Sequence, residues 1–191
     1  QYERLIAVFK AHNVGYFFYN GGNDSADTTW KVSQISEKLG YPVNCIGIPK
    51  TVDNDLVGTD NCPGFGSVAK YVATGMLETG YDVTSMARTS TKVFVLEVMG
   101  RNAGWITAAC GLAAQREGDA PHILLFPEIA FDPEKFLARV ETVVKQNGYC
   151  TVAVSEGLKD ANGKLMLESG LSDAFGHAQL GGVAPVIAGM V

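Results

Sequence analysis

No apolar run in the 191 residues approaches the ~20 that a membrane helix needs. A membrane partner is therefore not expected. Basic residues are outnumbered, 15 Lys and Arg against 20 Asp and Glu, with a sequence pI near 5.2. That balance excludes nucleic acid as the main partner, because a phosphate backbone selects for clustered positive charge. The four cysteines, at 45, 62, 110 and 150, include no close pair. Zinc spacing is absent, and the pattern reads as buried reduced thiols of a cytoplasmic protein. No secretory leader, low-complexity stretch or 20–50-residue repeat is visible. The Walker-type loop G-x-x-x-x-G-K-[ST] is missing. Disorder is excluded too, since 47% of residues are apolar and the net charge is only −5.

What is abundant is glycine, 22 residues with no collagen period and no linker composition. Such a surplus serves local backbone chemistry. The chain opens on Gln1, already inside a helical pattern, and closes within the apolar run 183–191. Ends are usually polar, so the sequence reads as a piece of a longer protein.

Between these ends the pattern alternates. Strands are expected at 14–19, 43–48, 92–98, 122–126 and 149–154. Helices are expected at 1–10, 24–39, 63–78, 104–115 and 133–146, the last started by Asp132 and stopped by Gly148. Residues 50–62 read as a polar loop. Short apolar strands alternating with helices predict a parallel sheet covered on both faces. Ligands in such sheets bind beyond the carboxyl ends of the strands.

Four expected strands end in unusual residues. The first runs into Gly21-Gly22-Asn23-Asp24-Ser25, where glycines permit close approach and a helix start favours an anion. An ordinary capped turn reads equally well there. The second runs into Pro49-Lys50-Thr51-Val52-Asp53-Asn54-Asp55. Phosphoryl transfer needs a carboxylate base, carboxylates near Mg²⁺ and a fixed cation, and this one loop offers all three. A solvated acidic turn would explain the acids but not their place after an apolar strand. The third runs into Met99-Gly100-Arg101, whose guanidinium can fork onto phosphate or sugar oxygens, although helix-start arginines are commonly plain surface. The fourth runs into Ser155-Glu156-Gly157, a carboxylate that could accept sugar hydroxyls or merely cap. The run Gly64-Phe65-Gly66-Ser67-Val68-Ala69 fits a dinucleotide fingerprint but follows a polar loop rather than a strand, so a nicotinamide cofactor is a poor reading.

Taken in order with Gly176-His177-Ala178-Gln179-Leu180-Gly181-Gly182, these segments resemble the phosphofructokinase family over residues 14–182. The resemblance implies an α/β fold: a parallel-sheet, three-layer Rossmann-like lobe, incomplete at both ends. It implies a donor and catalytic lobe at 1–148 and the start of a sugar-phosphate lobe at 149–191. The implied activity is transfer of a phosphoryl group with Mg²⁺ to the 1-hydroxyl of fructose 6-phosphate, a step of glycolysis and gluconeogenesis. By resemblance Asp53 is the general base, with Lys50 and Asp24 also catalytic. Thr51, Val52, Lys92, Met99, Gly100, Arg101, Glu156 and His177 then bind the sugar phosphate, with Asp53 itself at that substrate. Gly21, Gly22, Asp24, Ser25 and Lys50 bind the donor. Asn23 and Asp55 are the candidate metal ligands, although the family usually has an acidic residue at 23. Lys92 stands where the family often has a basic residue reaching a neighbouring subunit, which implies a homo-oligomer.

Asp24 and Lys50 resemble the pyrophosphate-using branch; the ATP-using members typically carry glycine at both places. A carboxylate at 24 would repel a nucleotide α-phosphate, and an ammonium at 50 would neutralise pyrophosphate. The expected donor is therefore pyrophosphate. The alternatives are an ATP-dependent member or a non-catalytic fragment that only binds sugar phosphate.

Overall fold

The computed structural model describes residues 1–166, 168–172, 178–180 and 182–191, giving the backbone course alone at 168–172 and 178–180. The chain divides into two compact units, Gln1–Gly64 and Phe65–Val191.

In the first unit, α1 (Tyr2–Ala11) leads to β1 (Tyr16–Gly21), α2 (Asn23–Lys38) and β2 (Asn44–Pro49). The two strands pair in parallel, Tyr16 opposite Asn44 through Gly21 opposite Pro49. Side chains alternate across a strand, and the alternation decides what is covered. Phe17 and Cys45 pack with Ile6 and Phe9 of α1, Val32 of α2 and Val43. Phe18, Ile46 and Ile48 are largely exposed. The packing described for this pair lies on one face of it. Both helices whose side chains join that cluster supply it from the same face.

The second unit holds α3 (Phe65–Met86), β3 (Val93–Val98), α4 (Trp105–Cys110), β4 (Ile123–Leu125), α5 (Pro133–Asn147), β5 (Cys150–Ser155), β6 (Glu168–Ser172), β7 (Ala178–Leu180) and α6 (Val183–Ala188). Its parallel sheet has the order β3-β5-β4, so β5 lies in the middle and all six of its residues are buried. Cys150, Val152 and Val154 meet Phe136, Val140 and Val143 of α5 and Val183 and Ile187 of α6. Leu124 points to the other face, against Gly111 after α4. Helices thus cover both faces, the three-layer arrangement expected. Burying one such aliphatic side chain contributes roughly 1.5–3 kcal/mol.

Local chemistry sets the helix limits. Asp132 accepts the Lys135 N–H at 3.1 Å, Pro133 takes the first turn, and Gly148 ends α5 with φ of 83°. α3 runs past the expected end to Met86, because Val72, Met76, Gly80 and Val83 continue its buried stripe. Gly80 is required there: a Cβ would lie 2.7 Å from that of Ala120. Conversely α4 stops at Cys110 and gives way to a 3-10 turn, Gly111–Ala113. The antiparallel pair β6–β7 and α6 carry no signal recognised in the sequence reading. The 148/149 division between lobes falls inside the second unit; it concerns a longer protein and stands as a proposal. No described helix is long and apolar enough to cross a membrane.

Candidate functional site

The carboxyl ends of β1 and β2 bring two expected segments together in the first unit. The Lys50 N–H donates to the Gly21 carbonyl at 2.7 Å, extending the pairing past both strands. Gly21 cannot carry a side chain, because a Cβ would run into Ser25. From this junction the loop 50–55 is held by its own side chains. Thr51, which is buried, donates its hydroxyl to Asp55 Oδ1 at 3.1 Å and accepts the Asp53 N–H at 3.2 Å. Asn23 Nδ2 donates to Asp55 Oδ2 at 2.7 Å. Asp55 therefore ties the helix start to the loop, and the backbone of Asp53 is fixed by Thr51.

The far side of the loop is pinned by a residue the sequence reading passed over. Asn54 has φ of 55°, a left-handed conformation that asparagine tolerates. Its side chain donates to the Asp60 carbonyl at 3.1 Å and accepts the Cys62 N–H at 2.8 Å. The asparagine inside T-V-D-N-D was the available signal, since an Asx residue commonly folds a loop back on itself. Lys50 and Asp24 are exposed, and Val52 and Asp53 half-buried. Asn23 was a candidate metal ligand. Its amide nitrogen is committed to Asp55, which leaves its carbonyl oxygen for a cation. No group of three or more His, Cys, Asp or Glu forms a metal cluster among the described residues.

The second unit gathers a separate set at the carboxyl ends of β3 and β5, where Val98 stands opposite Ser155. Gly100 N–H donates to Glu156 Oε1 at 3.3 Å, and Ser155 Oγ donates to the Gly100 carbonyl at 2.5 Å. Gly100 has φ of 129°, and a Cβ there would lie 2.5 Å from the Ala103 carbonyl oxygen. Gly104 donates its N–H to Glu128 Oε1 at 2.8 Å. The Met99–Arg101 turn and the Glu156 turn thus lie together. Lys92 does not join them: it is exposed and precedes β3, at the opposite end of that strand. His177 lies outside the described residues. Sequence reasoning missed Glu128 and Glu97. Glu97, a charge inside the apolar strand VFVLEV, accepts the Ala184 N–H at 2.8 Å and so fixes the start of α6. The fingerprint-like run 64–69 is the start of α3, preceded by loop, as its context implied.

The family model described as phosphofructokinase matches residues 1–189. The chain belongs to the phosphofructokinase family. Two of its relatives are named pyrophosphate–fructose 6-phosphate 1-phosphotransferase. That of Halomonas elongata is 65% identical over 191 residues, and that of Methylococcus capsulatus 63%. Both alignments cover all of this chain and 46% of the relative. The chain thus spans less than half the length of these phosphofructokinase relatives. Among solved structures, the pyrophosphate-dependent phosphofructokinase of Nitrosospira multiformis matches with a TM-score of 0.80 at 62% identity, covering 99% of this chain and 44% of that one. The enzyme of the same description from Marinobacter aquaeolei matches with 0.78 at 58%, with the same coverage. Saccharomyces cerevisiae phosphofructokinase, at 18% identity and a TM-score of 0.67, shares the fold.

Proposed function

We propose that the chain is the catalytic part of an enzyme that moves a phosphoryl group from pyrophosphate to the 1-hydroxyl of fructose 6-phosphate. The observation that carries this reading is the Thr51–Asp55–Asn23 network, which fixes the backbone of the half-buried Asp53 in the same short loop that opens on the exposed Lys50. The identities of 58–65% to proteins named for this reaction support it.

Asp53 takes the proton of the sugar hydroxyl as that oxygen attacks phosphorus. The P–O–P bond breaks and inorganic phosphate leaves. Lys50 offsets charge on the donor, and the glycines at 21 and 22 let the donor approach the backbone. The carboxylate of Asp24 repels a nucleotide that would otherwise extend past the β-phosphate. Arg101 and Glu156 hold the phosphorylated sugar, the guanidinium on phosphate and the carboxylate on hydroxyls. The oxygen donors of Asp55 and Asn23 suit Mg²⁺, which keeps most of its waters and takes one or two carboxylates plus substrate oxygens. When bound there the ion neutralises phosphate charge. Lys92, at the opposite end of β3, fits a role toward a neighbouring copy in a cytoplasmic homo-oligomer.

The donor assignment is tested by D24G in the complete enzyme. Turnover with ATP is expected to rise while turnover with pyrophosphate falls. If the parent already prefers ATP, the donor assignment is wrong and the ATP-dependent reading replaces it.

A further inference from the structure

Ser155 carries no side-chain surface that could reach a ligand: it is 0% exposed. Its hydroxyl acts instead as both donor and acceptor within the fold. It donates to the Gly100 carbonyl at 2.5 Å and accepts the Gly157 N–H at 3.0 Å. Around this one oxygen the two turns are closed from both sides. Gly100 N–H reaches back to Glu156 Oε1, and the Glu156 N–H donates to the Val98 carbonyl at 2.9 Å. Gly157 has no room for a Cβ, which would collide with the carbonyl of Arg101. The Arg101 backbone is thereby packed against Gly157, and Glu156 is held both by its backbone N–H and by one carboxylate oxygen. Among the described residues one Glu156 oxygen is engaged, which leaves the other for a ligand.

We propose that Ser155 is a positioning residue: its buried hydroxyl latches the Met99–Arg101 turn to the Glu156 turn, so that Arg101 and Glu156 meet the sugar phosphate as one pre-set pair. This rests on the reading of these two residues as the sugar-phosphate contacts. Removing the hydroxyl leaves a buried carbonyl and a buried N–H without partners. The turns are then free to separate, and each binding event must bring them together again.

The test uses the complete enzyme with S155A, S155T and R101A, measuring fructose 6-phosphate binding by calorimetry and turnover by phosphate release. S155A is expected to weaken sugar-phosphate binding about tenfold, the equivalent of one lost hydrogen bond. Its KM for pyrophosphate and its kcat at saturating sugar are expected to stay within about twofold of the parent. Faster amide exchange at Gly100 and Gly157 accompanies the loss, and S155T, which keeps a hydroxyl, restores most of the affinity. Unchanged affinity in S155A beside weakened affinity in R101A overturns the latch and leaves the site reading intact. Unchanged affinity in both overturns the site reading and the latch with it. If S155A does not fold, S155C, whose thiol is only a weak donor and acceptor, answers in its place, and parent-like affinity in that variant overturns the proposal.

Discussion

The two units hold their candidate residues by different means. In the first, side chains bond side chains at one edge of the loop 50–55, Thr51 and Asn23 both on Asp55, while Thr51 and Asn54 bond backbone. In the second, the turns after β3 and β5 are kept by buried bonds to backbone, with glycines where no Cβ fits. A side-chain network can yield locally as substrates arrive. A turn locked through its backbone cannot shift without disturbing the buried strand behind it. The first arrangement suits the proposed role of Asp53 as a reacting base, and the second the proposed grip of Arg101 and Glu156 on the sugar phosphate.

Mutations can break or sharpen this contrast. The largest effect is expected from D53S in the complete enzyme. A positioned base contributes about 10²–10⁴-fold, so kcat should fall by at least a hundredfold with fructose 6-phosphate affinity retained by calorimetry. Unchanged kcat would remove Asp53 from the chemistry. Next is G157A, whose Cβ collides with Arg101. Overpacking of this kind costs about 1–3 kcal/mol or more, and urea unfolding should show that loss together with weaker sugar-phosphate binding. Wild-type stability in G157A would mean the turn yields more easily than its packing implies. T51V then probes the softer loop. Val fills the same space but breaks the bonds to Asp55 and to the Asp53 N–H, so kcat should drop about tenfold with little change in the unfolding midpoint. A fall in stability as large as that of G157A would erase the contrast between the units.

The smallest effect is on pH dependence and belongs to the second unit. His122 Nδ1 accepts the Thr151 N–H at 3.0 Å, and Nε2 lies 3.2 Å from the Gly118 carbonyl. Burial holds its pKa below the ordinary value; Arg139 adds to the lowering, while the bonds to Gly118 and Thr151 and the charge of Asp119 oppose it. The unfolded chain therefore takes up this proton first. Stability at this site is intact above about pH 6.5 and declines as pH falls below it, by at most about 1.4 kcal/mol per pH unit. Urea midpoints between pH 7.5 and 5 should show that slope, and H122N, which keeps an acceptor for Thr151, should flatten it. An equal slope in both proteins would place the acid sensitivity elsewhere.

Legibility in the sequence followed the physics of each element. Strand and helix patterns were readable because apolar periodicity reports burial directly, as in the capped helix from Pro133 to Asn147. The Met99–Arg101 and Glu156 turns were readable because both follow apolar strands. What was hidden depended on tertiary contact. Nothing local in Glu97 announces a bond to Ala184, 87 residues away. The end of α3 was missed because Gly80 looks like a helix breaker until Ala120 is seen against it.

The donor proposed for the loop at 50–55 is pyrophosphate rather than a nucleotide. It is tested most directly by measuring fructose 1,6-bisphosphate formation by the complete enzyme from fructose 6-phosphate, with pyrophosphate or ATP as the only donor. Rapid turnover is expected with pyrophosphate, and at least a hundredfold less with ATP. Turnover with ATP that equals or exceeds that with pyrophosphate would contradict it.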